Sequence, residues 1–293
     1  TQELSQLTTA YERFVPRQFL RFLQKEKITD IQLADQIEYH MTIMFADIRD
    51  FTPLSERMAP QESFNFLNSY LSRISPVISR HRGFIDKYIG DAIMALFPEC
   101  ADDGVKAAID LQRELVIYNQ HRESCGYIPV RVGISLHTGS LMLGIIGGDE
   151  RMEGTVIADA VNLAARLESL TKLYDIKILI SGDTLHDLEE NDYQMRFLDE
   201  VRVKGRTDAV KLYEVFEGAD EAHIEAKRSI LSAYQEALVD YQKGDLEASR
   251  RGFLSVLNGL PGDKPTQVFL QRIDRYLEDG LPENWDGIQV YQH

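Results

Sequence analysis

Cysteine is scarce in this chain. Cys100 and Cys125 are the only two, and no CxxC spacing joins them. That excludes a disulfide framework and a cysteine zinc site, and it predicts two reduced thiols in a reducing compartment. The seven histidines are scattered without an HExxH or other ligand spacing. No apolar run approaches the ~18 residues that a membrane-crossing helix needs, and no signal peptide is visible. Positive charge is also short: 32 Lys and Arg against 47 Asp and Glu give a net charge of -15. Most of such a surface repels phosphate polymers and anionic membranes, so nucleic acid is not an expected partner. A small polyphosphate can still bind where Lys, Arg and metal gather locally. Neither common nucleotide cradle is present: there is no GxxxxGK[ST], and no GxGxxG follows a first strand. A Ser-His-Asp order and a kinase HRD set are missing too.

What is present is ordinary globular material. Hydrophobic residues make up 44% and charged residues 27% of 293 positions, enough for one large domain and a small appendage. The chain opens on Thr1 rather than Met. That suggests a longer parent carrying a sensor or membrane region upstream, and predicts a cytoplasmic protein or the cytoplasmic part of a membrane-anchored one.

Three regions are expected. Residues 1–40 read as helical, from Leu4, Leu7, Tyr11, Phe14 and Val15, then Phe19 to Leu23 after Pro16. Such a stripe serves either as a signalling, dimerising helix or as a helix packed on its own domain. Residues 41–217 form the main domain. MTIMFA (41–46) predicts a buried strand ending in acidic DIRD, and residues 60–80 carry a helical apolar stripe. Residues 84–97 predict two strands joined at Gly90-Asp91, and a helix follows over about 101–122. RVGISLHTG and LMLGIIGG suggest a further strand pair turning near Gly139. Asp159 to Leu170 is helical with Leu163, Ala164 and Leu167 inward, and IKILIS is a strand. Helices thus alternate with strand pairs, which predicts an antiparallel-rich α+β sheet rather than a doubly wound parallel one. Residues 218–293 contain two or three helices, with Ala233, Ala237, Gly244, Phe253 and Pro261 in a pattern like one tetratricopeptide repeat. A single repeat cannot bury its own face and must dock on something.

Several polar residues suit nucleotide chemistry. Asp47 and Asp91 sit at strand ends, where two rigid carboxylates could share a pair of magnesium ions. Lys87 can donate to adenine N1 and Thr155 can accept from N6. Asn162 and Arg166, four apart on one helix face, suit charge developing on phosphate. Lys204, in VKGR, could meet terminal phosphates. Taken singly each has a plainer reading: a turn aspartate, a solvated strand lysine, a surface pair at a helix start, a lysine in a basic turn.

Five strings change that balance by their order: FADIRDFT (45–52), DKYIGDAIMALF (86–97), RVGISLHTG (131–139), GTVIADAVNLAARLE (154–168) and VKGRTDAVKLYEV (203–215). Together they resemble the catalytic domains of class III adenylyl and guanylyl cyclases, over about residues 41–217. The resemblance implies a ferredoxin-like βαββαβ core and an active site at a dimer interface. It implies Asp47, Asp91 and the Ile48 carbonyl as ligands of two Mg2+ ions, with Mn2+ as the alternative. Phe51 and Thr52 match the loop near the phosphates, and Arg131 matches a phosphate-contacting arginine. From the partner subunit of a homodimer it implies Lys87 and Thr155 on the adenine, Asn162 and Arg166 on the transition state, and Lys204 on the phosphates.

The implied reaction is in-line attack of the ribose 3′-oxygen of ATP on the α-phosphorus, yielding cyclic AMP and pyrophosphate. Thr155 departs from the Asp of many members and is similar to a subgroup some of whose members respond to bicarbonate. Ala158 replaces a frequent Gly. Guanylyl cyclases typically carry Glu and Cys where Lys87 and Thr155 stand, so a guanylate cyclase is the first rival. A catalytically silent nucleotide-binding module is the second, against which all four of Asp47, Asp91, Asn162 and Arg166 are retained. A scaffold built on the C-terminal helices is the third.

Overall fold

The computed structural model describes residues 17–148, 151–190, 192–203, 208–218 and 220–291. The apolar stripe of residues 1–15 and Lys204 lie outside the described residues. In chain order the elements are α1 (Arg17–Phe22), β1 (Gln36–Ile48), α2 (Phe51–Ser55), α3 (Pro60–Arg80), β2 (Phe84–Ile89), β3 (Ala92–Phe97), α4 (Ala101–Ser124), β4 (Val132–Gly148) and β5 (Arg151–Ile157). They continue with α5 (Asp159–Leu173), β6 (Ile178–Ser181), α6 (Gly182–His186), β7 (Met195–Val203), β8 (Val210–Val215), α7 (Glu221–Lys243), α8 (Leu246–Gly259), α9 (Lys264–Asp279) and β9 (Gln289–Tyr291).

The strands form one sheet in the order β2-β3-β1-β4-β6-β8-β7-β9, with β5 paired to β4. The first four strands and helices α3 and α4 make the βαββαβ core, and every pairing within it is antiparallel. The two parallel pairings, β4 with β6 and β7 with β9, lie outside it. The expected antiparallel-rich α+β core is therefore present.

β1 reads as a near-continuous apolar run because the sheet is covered on both faces. Met44, Ala46 and Ile48 point into one cluster with Tyr70, Ile74 and Ile78 of α3 and Val105, Ala108 and Leu111 of α4. Met41, Ile43 and Phe45, one residue out of phase, face the other side with Phe19, Ala160 and Ala164. The alternation follows from the two-residue repeat of a strand. α1 thus packs on its own domain through Phe19 and Leu23, both buried.

Two expectations are corrected. Residues 36–40, read as part of a helical region, are the first residues of β1 and belong to the sheet of the main domain. The segment around Gly139 is not a turn between two strands: β4 runs unbroken through it, and Gly139 pairs with Met41. The long partner strand β1 continues the ladder from Ile48 opposite Val132 to Gln36 opposite Gly144. Gly139 serves packing instead, since a Cβ there would lie 3.2 Å from the Ala160 Cβ at the start of α5.

The C-terminal helices close around Tyr234, Tyr241, Phe253, Phe269 and Ile273. Of the two expected docking sites, the main domain or a partner, the structure shows the main domain. Phe197 of β7 packs against that cluster, and β9 adds a strand beside β7.

Candidate active site

Asp47 and Ile48 are the last two residues of β1, opposite Gly133 and Val132. Asp91 follows Gly90 in the β2–β3 turn, where Gly90 takes a φ of 65° that disfavours a side chain. The ladder sets Ala46 beside Ile93, so the turn brings Asp91 to the end of β1. The two carboxyls lie close enough there to interact. Burial, then the facing Asp91 carboxyl, pushes the Asp47 pKa up to about 7. Asp91 Oδ2 is buried without a hydrogen-bond partner. Two facing carboxylates with an orphaned oxygen fit a hard divalent cation, which would relieve their repulsion. Among the described residues no three His, Cys, Asp or Glu side chains gather as a ligand set. This agrees with a site where substrate oxygens complete the coordination, the usual habit of magnesium.

Three neighbours carry no motif signal of their own. Glu168 of α5 adds its charge to the pair, and burial raises its own pKa while Arg49 opposes the rise. A Cβ on Gly133 would stand 2.3 Å from Thr171 Oγ1 and 3.4 Å from Glu168 Oε1. The bare glycine therefore lets α5 settle on the strand position opposite Asp47. Arg49 donates to the carbonyls of Thr171, at 2.7 Å, and Ile176, at 2.5 Å, gripping the C-terminal end of α5. Beneath the pair lies Tyr70, fully buried, with no partner for its hydroxyl. Burial, with the Asp47 and Asp91 charges adding, raises its pKa. Arg49, Tyr70 and Glu168 are ordinary residue types whose roles come from contacts over long sequence separations.

The phosphate-side candidates line the loop after β1. Phe51 and Thr52 open α2, and Phe51 stacks on Phe66 with centroids 6.1 Å apart. Arg131 is mostly exposed, 3.1 Å from Asp175 and 3.7 Å from Asp50.

A second cluster joins β2 to β5. Lys87 Nζ donates to Thr155 Oγ1 at 3.4 Å. A β-bulge between Ile85 and Lys87 leaves Asp86 as the extra residue, and its carboxylate lies 3.5 Å from the same ammonium. The Asp86 side chain is 1% exposed, and its Oδ2 has no hydrogen-bond partner. Sequence reading passed over it.

Asn162 and Arg166 stand one turn apart on α5, whose buried side carries Leu163, Ala164 and Leu167. Glu168 lies two positions beyond Arg166, about 200° around the helix. The face of α5 turned to this protomer's own carboxylate pair is therefore not the face that carries Asn162 and Arg166.

Comparison with known proteins identifies the family. The sequence model of the adenylate and guanylate cyclase catalytic domain matches residues 33–216. A terminal-differentiation specific adenylate cyclase of Dictyostelium discoideum is 37% identical over 278 residues, 92% of this chain, so the likeness runs on past residue 216 into the C-terminal helices. An adenylate cyclase of Anabaena cylindrica is 40% identical over 220 residues, 73% of this chain. The chain spans only 13% and 44% of the lengths of these two relatives. A bacterial light-regulated adenylyl cyclase superposes with a TM-score of 0.65 at 26% identity, covering 76% of this chain and 66% of that one. No helix among the described residues is long and apolar enough to cross a membrane. The chain belongs to the adenylate and guanylate cyclase catalytic domain family.

Proposed function

We propose that this chain is an adenylate cyclase that converts ATP to 3′,5′-cyclic AMP and pyrophosphate at sites shared between two copies of itself. The observation that carries the reading is the separation of two half-sites on one protomer. The Asp47–Asp91 pair meets Glu168 of α5, whereas Asn162 and Arg166 look elsewhere from the same helix. A second copy, turned about a two-fold axis, supplies to each carboxylate pair the face it lacks. Exposed apolar residues support such an interface: Tyr88 and Ile89 on β2, and Ile146, Met152 and Ile157 on the β4–β5 arm, are each about half exposed.

In this reading Asp47, Asp91 and the Ile48 carbonyl hold two Mg2+ ions, or Mn2+ in their place. A divalent pair held by these residues would supply charge stabilisation to the entering and leaving oxygens. Arg131, with Phe51 and Thr52 beside it, meets the phosphates, and Lys204 is assigned the same task from the partner. Lys87 donates to adenine N1 while Thr155 accepts from N6. The hydroxyl can do so while also accepting from Lys87, because it has two lone pairs. Guanine offers N1–H where Lys87 needs an acceptor, which favours ATP. Asn162 and Arg166 stabilise charge that grows only in the transition state, so their loss lowers kcat more than it raises KM.

The test is product formation from ATP and from GTP, each with magnesium and with manganese, followed by subunit mixing. Asp47→Asn and Asn162→Ala chains should each be inactive alone and should regain one working site per mixed dimer. Preference for GTP removes the adenylate assignment, and a mixture as inactive as its parents removes the shared site.

A further inference from the structure

The C-terminal helices grip the far end of the helix that carries Asn162 and Arg166. α5 is capped at its C-terminal end by Tyr174, whose hydroxyl donates to Asp199 of β7 at 2.5 Å. Arg272 of α9 reaches the same point, donating to Asp199 at 2.7 Å and to the Tyr174 oxygen at 2.8 Å. Its third contact is the hydroxyl of Tyr291 on β9, which lies 3.1 Å from the Tyr174 hydroxyl. Tyr174, Asp199 and Arg272 are all buried. From the opposite side Arg49 holds the carbonyls of Thr171 and Ile176. The last turn of α5 is therefore clamped between the loop after Asp47 and the C-terminal unit.

Energy alone does not account for the second clamp. Removing two charges from water offsets most of their attraction, and well-packed apolar residues are often as stabilising as a buried pair. What the polar set adds is direction: a guanidinium fork, a carboxylate and a phenol fit in few arrangements. α5 spans 15 residues, about 22 Å of rigid rod. A small rotation at its C-terminal end carries straight through to Arg166, and a misplacement of about 1 Å can cost on the order of 100-fold in rate. The likeness to the Dictyostelium discoideum cyclase, which continues past the catalytic domain, fits a C-terminal unit that travels with the chemistry.

We infer that Arg272 and Asp199 are positioning residues for the cyclase reaction: α7–α9 and β9 hold the end of α5 through Tyr174 and so aim Asn162 and Arg166 at the substrate. This rests on the roles proposed above for Asn162 and Arg166.

The experiment uses the full chain. Arg272→Met with Asp199→Leu removes both charges together and leaves neither buried alone. The expected result is a folded protein whose KM for ATP is near parental and whose kcat falls about 10- to 100-fold. Tyr174→Phe deletes only the linking hydroxyl and should lower kcat several-fold with KM unchanged, which keeps the idea testable if the double variant does not fold. Added to Arg166→Ala, Tyr174→Phe should cost less than it does alone, because one of the two groups being aimed is gone. Parental kcat in folded Tyr174→Phe overturns the inference. So does an equal loss from Tyr174→Phe with and without Arg166, which would mean that the network acts elsewhere. Parental activity in Arg166→Ala itself overturns the assignment beneath it, and is read separately.

Discussion

Lys87 and Thr155 lie 68 residues apart in sequence, yet the Lys87 ammonium donates to the Thr155 hydroxyl across a 3.4 Å gap between β2 and β5. Neither strand makes the pair alone; β4, to which β5 is bonded, and β1 and β3 between them set the spacing. A charged donor so placed should discriminate bases. Lys87→Met should lower kcat/KM for ATP by about 10- to 100-fold, the effect of losing a hydrogen bond to a charged group worth roughly 1.5–3 kcal/mol. Activity with GTP should fall less. Cyclic nucleotide yield from each substrate gives the ratio, and an unchanged ratio would remove Lys87 from base recognition.

Asp86 makes the usual specificity exchange costly here. Lys87→Glu would set a new carboxylate beside one that is already almost fully buried and has no other hydrogen-bond partner for Oδ2. Like charges so close and so dry should destabilise the hairpin. Lys87→Glu should therefore melt earlier than Lys87→Gln, and Asp86→Asn added to it should abolish that deficit. Thermal melts of the three variants decide the point; equal midpoints would mean that Asp86 does not feel position 87.

The facing carboxylates predict a separation of stability from turnover. Asp47→Asn removes a like charge held against Asp91, so the chelator-treated variant should melt higher than the chelator-treated parent. For a domain of this size each kcal/mol relieved raises the midpoint by about 2–4 °C. The same variant should be inactive. Magnesium or manganese should raise the midpoint of the parent and leave the variant unmoved, measured by calorimetry in chelator and in metal. Equal metal-induced shifts in both would take Asp47 out of the metal site.

Much of this architecture could be read from local pattern, and what could not has a physical reason. The 60–80 helix, the hairpin at Gly90-Asp91 and the buried strand before Asp47 each carry their periodicity in adjacent residues. β4 was misjudged because glycine marks both turns and close approaches, and only the partner Ala160 distinguishes them. β9 is three residues long and exists because β7 offers it an edge. The motif strings already held Arg49, Asp86 and Glu168 unnoticed. Their significance lies in the carbonyls, ammonium and carboxylates they meet, which no spacing rule encodes.

Arg49 should behave as a strut rather than as a phosphate ligand. One of its nitrogens donates to two backbone carbonyls at the end of α5. The lysine side chain ends one bond short of that guanidinium nitrogen and carries a more strongly hydrated charge, so Arg49→Lys should not replace both bonds. The expected loss is about 1–3 kcal/mol, from leaving a carbonyl short of its partner. Denaturant midpoints measure it, and a parental midpoint for Arg49→Lys would show the grip to be dispensable.

Acid should release the C-terminal helices before the rest of the chain unfolds. Glu214 on β8 accepts from Arg196 of β7 at 2.8 Å and from Lys227 of α7. Asp263, at the start of α9, accepts from Arg196 at 2.6 and 3.2 Å and from Thr266. Burial opposes ionisation of both carboxyls, but Arg196 and Lys227 outweigh it and hold both below the usual carboxylate range. A folded pKa below the unfolded one gives stability that is complete above the unfolded value and is lost as pH falls through the folded one. These two carboxylates should therefore contribute fully from pH 8 to about 5 and lose their hold below about 4. The chain's single tryptophan reports it, because Trp285 packs on Tyr241 and Tyr276 within the helical unit and donates to the Tyr241 carbonyl at 3.1 Å. Its emission should shift in acid before the far-ultraviolet signal of the sheet collapses. Glu214→Gln, which leaves Lys227 and Arg196 buried with one counter-charge fewer, should loosen the unit already at pH 7, by roughly 3–5 kcal/mol. Coincident tryptophan and backbone transitions, with Glu214→Gln as stable as the parent, would mean that these charges do not hold the helices to the sheet.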